Sequence, residues 1–84
     1  MYQILLSRSS ERFLRKCDKE LYERLIKKIK ELSLNPFPPD IKRVIGIAEK
    51  TFRVRVGGYR IQYVVFHEKS EILILDIDKR PRAY

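Results

Sequence analysis

The run T-F-R-V-R-V-G-G-Y-R-I-Q, residues 51–62, constrains this chain more than any other stretch. Phe52, Val54 and Val56 alternate with Thr51, Arg53 and Arg55, and after Gly57-Gly58 the alternation resumes with Tyr59, Ile61 and Tyr63 against Arg60, Gln62 and Val64. A period of two on both sides reads as two strands. Two glycines between them predict a two-residue hairpin, because the turns that match strand twist require positive φ angles that glycine adopts without cost. The register follows: Val56 faces Tyr59, Val54 faces Ile61 and Phe52 faces Tyr63, so one face of the ladder is apolar and belongs to a core.

The opposite face is basic. Arg55 lies across from Arg60, and Arg53 across from Gln62. Like charges paired across strands are destabilising, and a guanidinium cannot shed its proton for relief. Three arginines and a planar amide on one short face therefore predict an anionic ligand, most simply a phosphate.

The rest of the chain reads as a scaffold for this hairpin. Residues 2–7 are apolar enough for a first strand, and S-R-S-S-E supplies capping hydroxyls and an acidic first turn for a helix with Phe13, Leu14 and Cys17 inward. Asp18 caps a second helix running to about Leu34, with Leu21, Leu25, Ile29 and Leu32 as one apolar stripe. Its outer surface interleaves Arg24, Lys27, Lys28 and Lys30 with Glu20, Glu23 and Glu31, which can pair three or four residues apart; the excess lysines, among them Lys27 and Lys28, can steer a long RNA or DNA backbone. Asn35-Pro36-Phe37-Pro38-Pro39-Asp40 ends the helix by removing donors and forbidding helical geometry. Residues 41–47 lead into the sheet, and Ala48-Glu49-Lys50 reads as a turn.

After the hairpin, residues 63–66 continue the strand, His67 to Ser70 form a polar turn, and E-I-L-I-L-D-I-D is a last strand. The expected parity puts Leu73, Leu75 and Ile77 in the core. Ile72, Ile74, Asp76 and Asp78 then share the basic face, because the other register buries Asp76 unpaired. On this reading Val64, Phe66, Ile72 and Ile74 form an apolar patch beside the arginines, a docking surface or one covered by the chain itself. Pro81 stops the ladder within K-R-P-R-A-Y, leaving Lys79, Arg80, Arg82 and Tyr84 able to return to the same groove, where Tyr84 can stack a base.

Eighty-four residues make one domain, 1–84, with room for a single two-layer core. Nineteen Lys and Arg against eleven Asp and Glu give a net charge of +8, which favours polyanionic partners. A membrane is disfavoured: no apolar run approaches the ~20 residues of a span, and M-Y-Q-I-L-L-S lacks the basic start and cleavage site of a signal peptide. The single cysteine, Cys17, excludes an internal disulfide and points to a reducing cytoplasm. One His and one Cys without ligand spacing give no zinc site, and no phosphate-cradling or dinucleotide glycine motif is present, so neither metal nor cofactor is expected. Asp76 and Asp78 amid cations stay ionised rather than forming an acid–base pair. The remaining chemistry is that of arginine, lysine, tyrosine and backbone. Such groups bind a phosphodiester and stabilise a five-coordinate transition state, with the 2′-hydroxyl of RNA as nucleophile.

V-G-G-Y-R-I-Q-Y-V-V followed by I-L-I-L-D-I-D-K-R-P-R-A-Y resembles the RelE family of toxins, within the RelE/ParE superfamily, and the likeness covers the whole chain. It implies an α+β fold with an N-terminal strand, two helices and then an antiparallel sheet, the helices packed on one face. It also implies a ribosome-dependent endoribonuclease that cleaves mRNA in the decoding site and is silenced by a RelB-like antitoxin. Carried over residue by residue, Arg60 matches the family's phosphate-binding arginine, and Arg53 and Arg55 fall where members carry basic residues. Arg80 or Arg82, depending on whether alignment runs from the strand or from Tyr84, matches the arginine that serves as leaving-group acid or phosphate stabiliser; Tyr84 matches the codon-stacking tyrosine. Arginine is a poor general base, so Arg55 in place of a lysine shifts the burden to electrostatics. A ParE-like gyrase poison and a non-catalytic RNA-binding module are the rival readings.

Overall fold

The computed structural model describes residues 1–44, without the Val44 side chain, and residues 51–79. Strand β1 (Gln3–Leu6) leads into helix α1 (Arg8–Lys16) and helix α2 (Lys19–Leu34), followed by strands β2 (Lys42–Val44), β3 (Thr51–Val56), β4 (Tyr59–Phe66) and β5 (Glu71–Lys79). They form one five-stranded sheet in the order β1-β5-β4-β3-β2. β1 runs parallel to β5 and the other neighbours are antiparallel.

Both helices start where the sequence supplies a cap. The Ser7 hydroxyl accepts from the Ser10 N–H at 3.1 Å, and the Asp18 carboxylate accepts from the Leu21 N–H at 2.8 Å. Each satisfies a donor that the first helical turn leaves without a partner. The α2 stripe Leu21, Leu25, Ile29 and Leu32 is buried against Val54, Val56, Ile61, Tyr63, Ile72, Ile74 and Ile77 of the sheet. The proline connector docks through its backbone and Phe37: the Tyr63 hydroxyl donates to the Pro36 carbonyl at 2.6 Å, and Phe37 packs edge-on to Phe52 and stacks with His67. Burial, reinforced by the nearby Asp40 charge, holds the Tyr63 phenol well above the ordinary tyrosine range. The chain then delivers β2 to the edge of β3, while the proposed 48–50 turn lies outside the described residues.

The hairpin has the register expected from its sequence, with Val56 opposite Tyr59, Arg55 opposite Arg60 and Arg53 opposite Gln62. Gly57 has φ +59° and is the only described glycine with positive φ, the pattern of a type II′ turn.

β5 departs from expectation. Gln62 pairs with Asp76 but the next residue, Tyr63, pairs with Ile74, so Leu75 is an extra residue in a β-bulge. The bulge resets the parity within one strand. Ile72 and Ile74 are fully buried beside Ile77, while Leu73 and Leu75 are only half-buried. Asp76 and Asp78 still lie on the face of Arg60. The expected core positions Leu73 and Leu75, and the expected patch of Val64, Phe66, Ile72 and Ile74, are therefore corrected: Ile72 and Ile74 belong to the core, Val64 is itself buried, and Phe66 is half-buried. The physical cause lies at the start of α1, where the Ser7 hydroxyl donates to the Leu75 carbonyl at 2.7 Å and the Ser10 hydroxyl to the Ile74 carbonyl at 3.0 Å. The Ser7 N–H also donates to Ile74 at 3.0 Å. Two successive outward carbonyls, which a regular strand would not present, are thereby satisfied.

Candidate anion-binding site

β2 is three residues long and covers β3 only from Thr51 to Arg53, where Lys42 pairs with Arg53. β3 continues for Val54, Arg55 and Val56 without that neighbour. Beside this open edge lies a cavity of about 490 Å³ lined by Lys42, Arg53, Arg55 and Arg60, together with Val54, Gly57 and Asp40. The alternation of β3 and the hairpin register bring three arginines to one place, the end of the proline connector adds Asp40, and β2 adds Lys42.

The Arg55–Arg60 repulsion is relieved from the next strand. Asp78 stands opposite Arg60 in the ladder, and accepts from Arg60 Nε at 3.0 Å and Nη2 at 3.3 Å. This two-point contact fixes the plane of the guanidinium. Asp40 is similarly engaged by Lys28 Nζ at 3.2 Å. Lys28, Lys42, Arg53, Arg55 and Arg60 against Asp40 and Asp78 leave a net charge of +3 around the cavity. Among the described residues, every charged side chain lining the cavity apart from Asp40 is a hydrogen-bond donor, so the arrangement suits binding and stabilising a phosphate rather than abstracting a proton.

Two residues of this neighbourhood, Lys42 and Arg24, escape sequence reasoning. Arg24, on the outer surface of α2, lays its guanidinium over the hairpin turn: a Cβ placed on Gly57 would stand 3.2 Å from Arg24 Cζ and nearer still to Nη2. Gly57 thus serves both its positive φ and this close approach. Nothing local to α2 signals the contact, which exists only once helix and hairpin are docked.

The other candidates are distributed differently. Gln62 is half-buried between Arg53 and Asp76 in the ladder. Lys27 is exposed on α2, and Lys28 is engaged by Asp40. Lys79 pairs with Tyr59, which puts it on the helix-bearing face rather than beside the arginines. Arg80, Arg82 and Tyr84 lie outside the described residues. The Cys17 thiol is pushed up by burial and by Asp18, the reverse of an activated nucleophile. Among the described residues no three His, Cys, Asp or Glu side chains converge as metal ligands, and no helix is long and apolar enough to cross a membrane.

Residues 4–84 match the family described as the ParE toxin of type II toxin-antitoxin systems. A Methanocaldococcus jannaschii protein that carries the name toxin RelE1 is 41% identical over 73 residues, 79% of this chain and 80% of the relative. The fold is similar to that in the archaeal RelE–RelB complex from Pyrococcus horikoshii, with a TM-score of 0.85, 27% identity and 98% of each chain covered. It is also similar to the toxin–antitoxin complex RelBE2 from Mycobacterium tuberculosis, with a TM-score of 0.80 and 25% identity over 94% of this chain and 98% of that one.

Proposed function

The chain belongs to the RelE/ParE family of type II toxin–antitoxin toxins, and from that premise we propose that it is an mRNA interferase acting on the ribosome in the cytoplasm. The observation that carries this reading is the convergence of Arg53, Arg55 and Arg60 with Lys42 on one cavity. Arg60, held in plane by Asp78, grips the scissile phosphate; Arg55 and Arg53 stabilise the charge that builds on its oxygens. The RNA's 2′-oxygen attacks the adjacent phosphorus, the bond to the 5′-oxygen breaks, and the proton lost by the first oxygen is matched by one gained by the second. The products are a 2′,3′-cyclic phosphate and a 5′-hydroxyl, and DNA is spared because it lacks the nucleophile. Preorganised donors of this kind are worth ~10²–10³ in rate each. Arg80 or Arg82 assists the leaving group and Tyr84 stacks on the codon. A RelB-like antitoxin, acidic where it meets the cavity, neutralises the arginines; the relatives crystallised as RelE–RelB complexes support such a partner.

The test is to incubate the protein with programmed ribosomes carrying a defined codon in the decoding site and to map mRNA ends by primer extension. Codon-positioned cuts are expected, lost in Arg55→Gln/Arg60→Gln and in Arg80→Ala/Arg82→Ala. The family match to ParE supports a second reading, a gyrase poison. Intact mRNA with blocked gyrase supercoiling would replace the first reading by the second. If Arg60→Ala weakened RNA binding no more than any other surface cation change, and neither target responded, a non-catalytic RNA-binding module would remain.

A further inference from the structure

A second groove, of about 600 Å³, lies between α1 with the start of α2 and the adjoining ends of β4 and β5. Its floor includes Phe13, Tyr59 and Ile77, and its rim carries Arg12, Lys16 and Lys79. Phe13 and Tyr59 meet edge to face with ring centroids 5.8 Å apart, and both remain partly accessible. The rim continues along the helix. Arg8, Arg12 and Lys16 recur every four residues and are all exposed, so they form a row about 12 Å long at ~1.5 Å per residue. The one acid of α1, Glu11, is engaged by Arg15 on a neighbouring stripe. Among the described residues two carboxylates border the groove: Asp18 is occupied as the cap of α2, and Asp76 stands opposite Gln62 in the ladder.

We infer that this groove is a second site for single-stranded RNA, separate from the arginine cavity, with phosphates on the Arg8–Arg12–Lys16 row and a base against Phe13 and Tyr59. The inference rests on the proposed RNA chemistry and extends it. A cationic track beside aromatic rings is how proteins hold single strands without reading sequence, since every base has a face to stack. The placement also fits one continuous ligand. Tyr59 and Arg60 are adjacent residues of β4 whose side chains point to opposite faces; the first lines this groove and the second lines the arginine cavity. A strand passing over the open end of the hairpin reaches both. An acidic peptide would answer the charge of the row, but the aromatic pair favours a base.

The experiment is fluorescence anisotropy with a short, unstructured 2′-O-methyl RNA, which cannot be cleaved because its 2′-oxygen is blocked, titrated at several salt concentrations. Arg12→Gln/Lys16→Gln should lower affinity about tenfold or more at low salt. It should also reduce the slope of log K against log salt by about 1.4, two contacts at ~0.7 each on a single strand. The charge-matched control Arg43→Gln/Lys69→Gln, two exposed residues that line neither cavity, should change the slope much less. Phe13→Leu, which keeps apolar volume, should lose about fivefold or more in affinity with the slope unchanged. Thermal melting of each variant separates binding loss from unfolding. The inference is overturned if the α1 variant loses no more slope than the control. It is equally overturned if that variant binds RNA normally and loses affinity for a polyglutamate peptide instead. Because this RNA cannot be cut, the result is independent of the interferase reading, which fails separately if Arg55→Gln/Arg60→Gln still cleaves mRNA on the ribosome.

Discussion

Gly57→Ala offers a direct measure of how much the hairpin turn depends on its first glycine. At φ +59° an L-residue places its Cβ against the backbone at a cost of ~1–2 kcal/mol. The new methyl also enters the space held by the Arg24 guanidinium, but that group terminates a flexible exposed side chain and can swing away. The backbone term should therefore dominate, for a total of about 1–2 kcal/mol. In a domain of this size each kcal/mol lowers Tm by ~4–8 °C. Gly58→Ala is the matched control: Gly58 does not have positive φ, and a Cβ there meets no atom within 4 Å, so its effect should stay within ~0.5 kcal/mol. Urea unfolding of both variants, repeated in an Arg24→Ala background, separates the contributions. The cost of Gly57→Ala should persist without Arg24. Equal stability of the two alanine variants would refute the turn assignment, and a cost that vanished with Arg24→Ala would show that the contact, not φ, decides.

Asp78→Asn removes the carboxylate that orients Arg60 while making the cavity more positive. It should bind the uncleavable RNA about twofold or more tighter yet cut mRNA at least ~10-fold more slowly in single-turnover assays on ribosomes; a parallel change in both would refute the orienting role. Tyr63→Phe should cost ~1–2 kcal/mol at neutral pH by leaving the buried Pro36 carbonyl without its donor. It should also flatten the alkaline limb of stability. The native phenol is held above its ordinary pKa, so below pH ~10 both states are protonated, while above it only the unfolded state ionises. Wild-type stability therefore falls as pH rises through that window, by up to ~1.4 kcal/mol per unit from this group; urea midpoints from pH 8 to 11 that ran parallel in wild type and Tyr63→Phe would exclude the effect.

The elements that were legible from sequence are those whose signal is local. The hairpin register follows from period-two alternation and a glycine pair, and α2 from Asp18 and a single stripe of leucine and isoleucine. Arg53, Arg55 and Arg60 were legible as neighbours for the same reason. Residues 72–75 were not: I-L-I-L is apolar at both parities, so period two carries no information there and tertiary contacts decide. The parity argument was right at Asp76 and Asp78, where polarity marks a face, and failed one step earlier, at the bulge. Lys42 and Arg24 were invisible as site residues because each reaches the hairpin from a different element, and Lys79 falls on the helix-bearing face because it continues the parity of Ile77 and pairs with Tyr59, which the basic run K-R-P-R does not signal.

The bulge also determines what the site can be. With unbroken alternation, burying Ile72 and Ile74 would carry Asp76 and Asp78 into the core and push Ile77 out; keeping the aspartates on the basic face would expose Ile72 and Ile74 instead. Leu75 as an extra residue satisfies both demands. Its irregular carbonyls are taken up by Ser7, Ser9 and Ser10 at the start of α1, and its consequence three residues later is Asp78 set against Arg60. The orientation of the central arginine thus depends on a run of serines at the other end of the sequence, through one extra residue in the intervening strand.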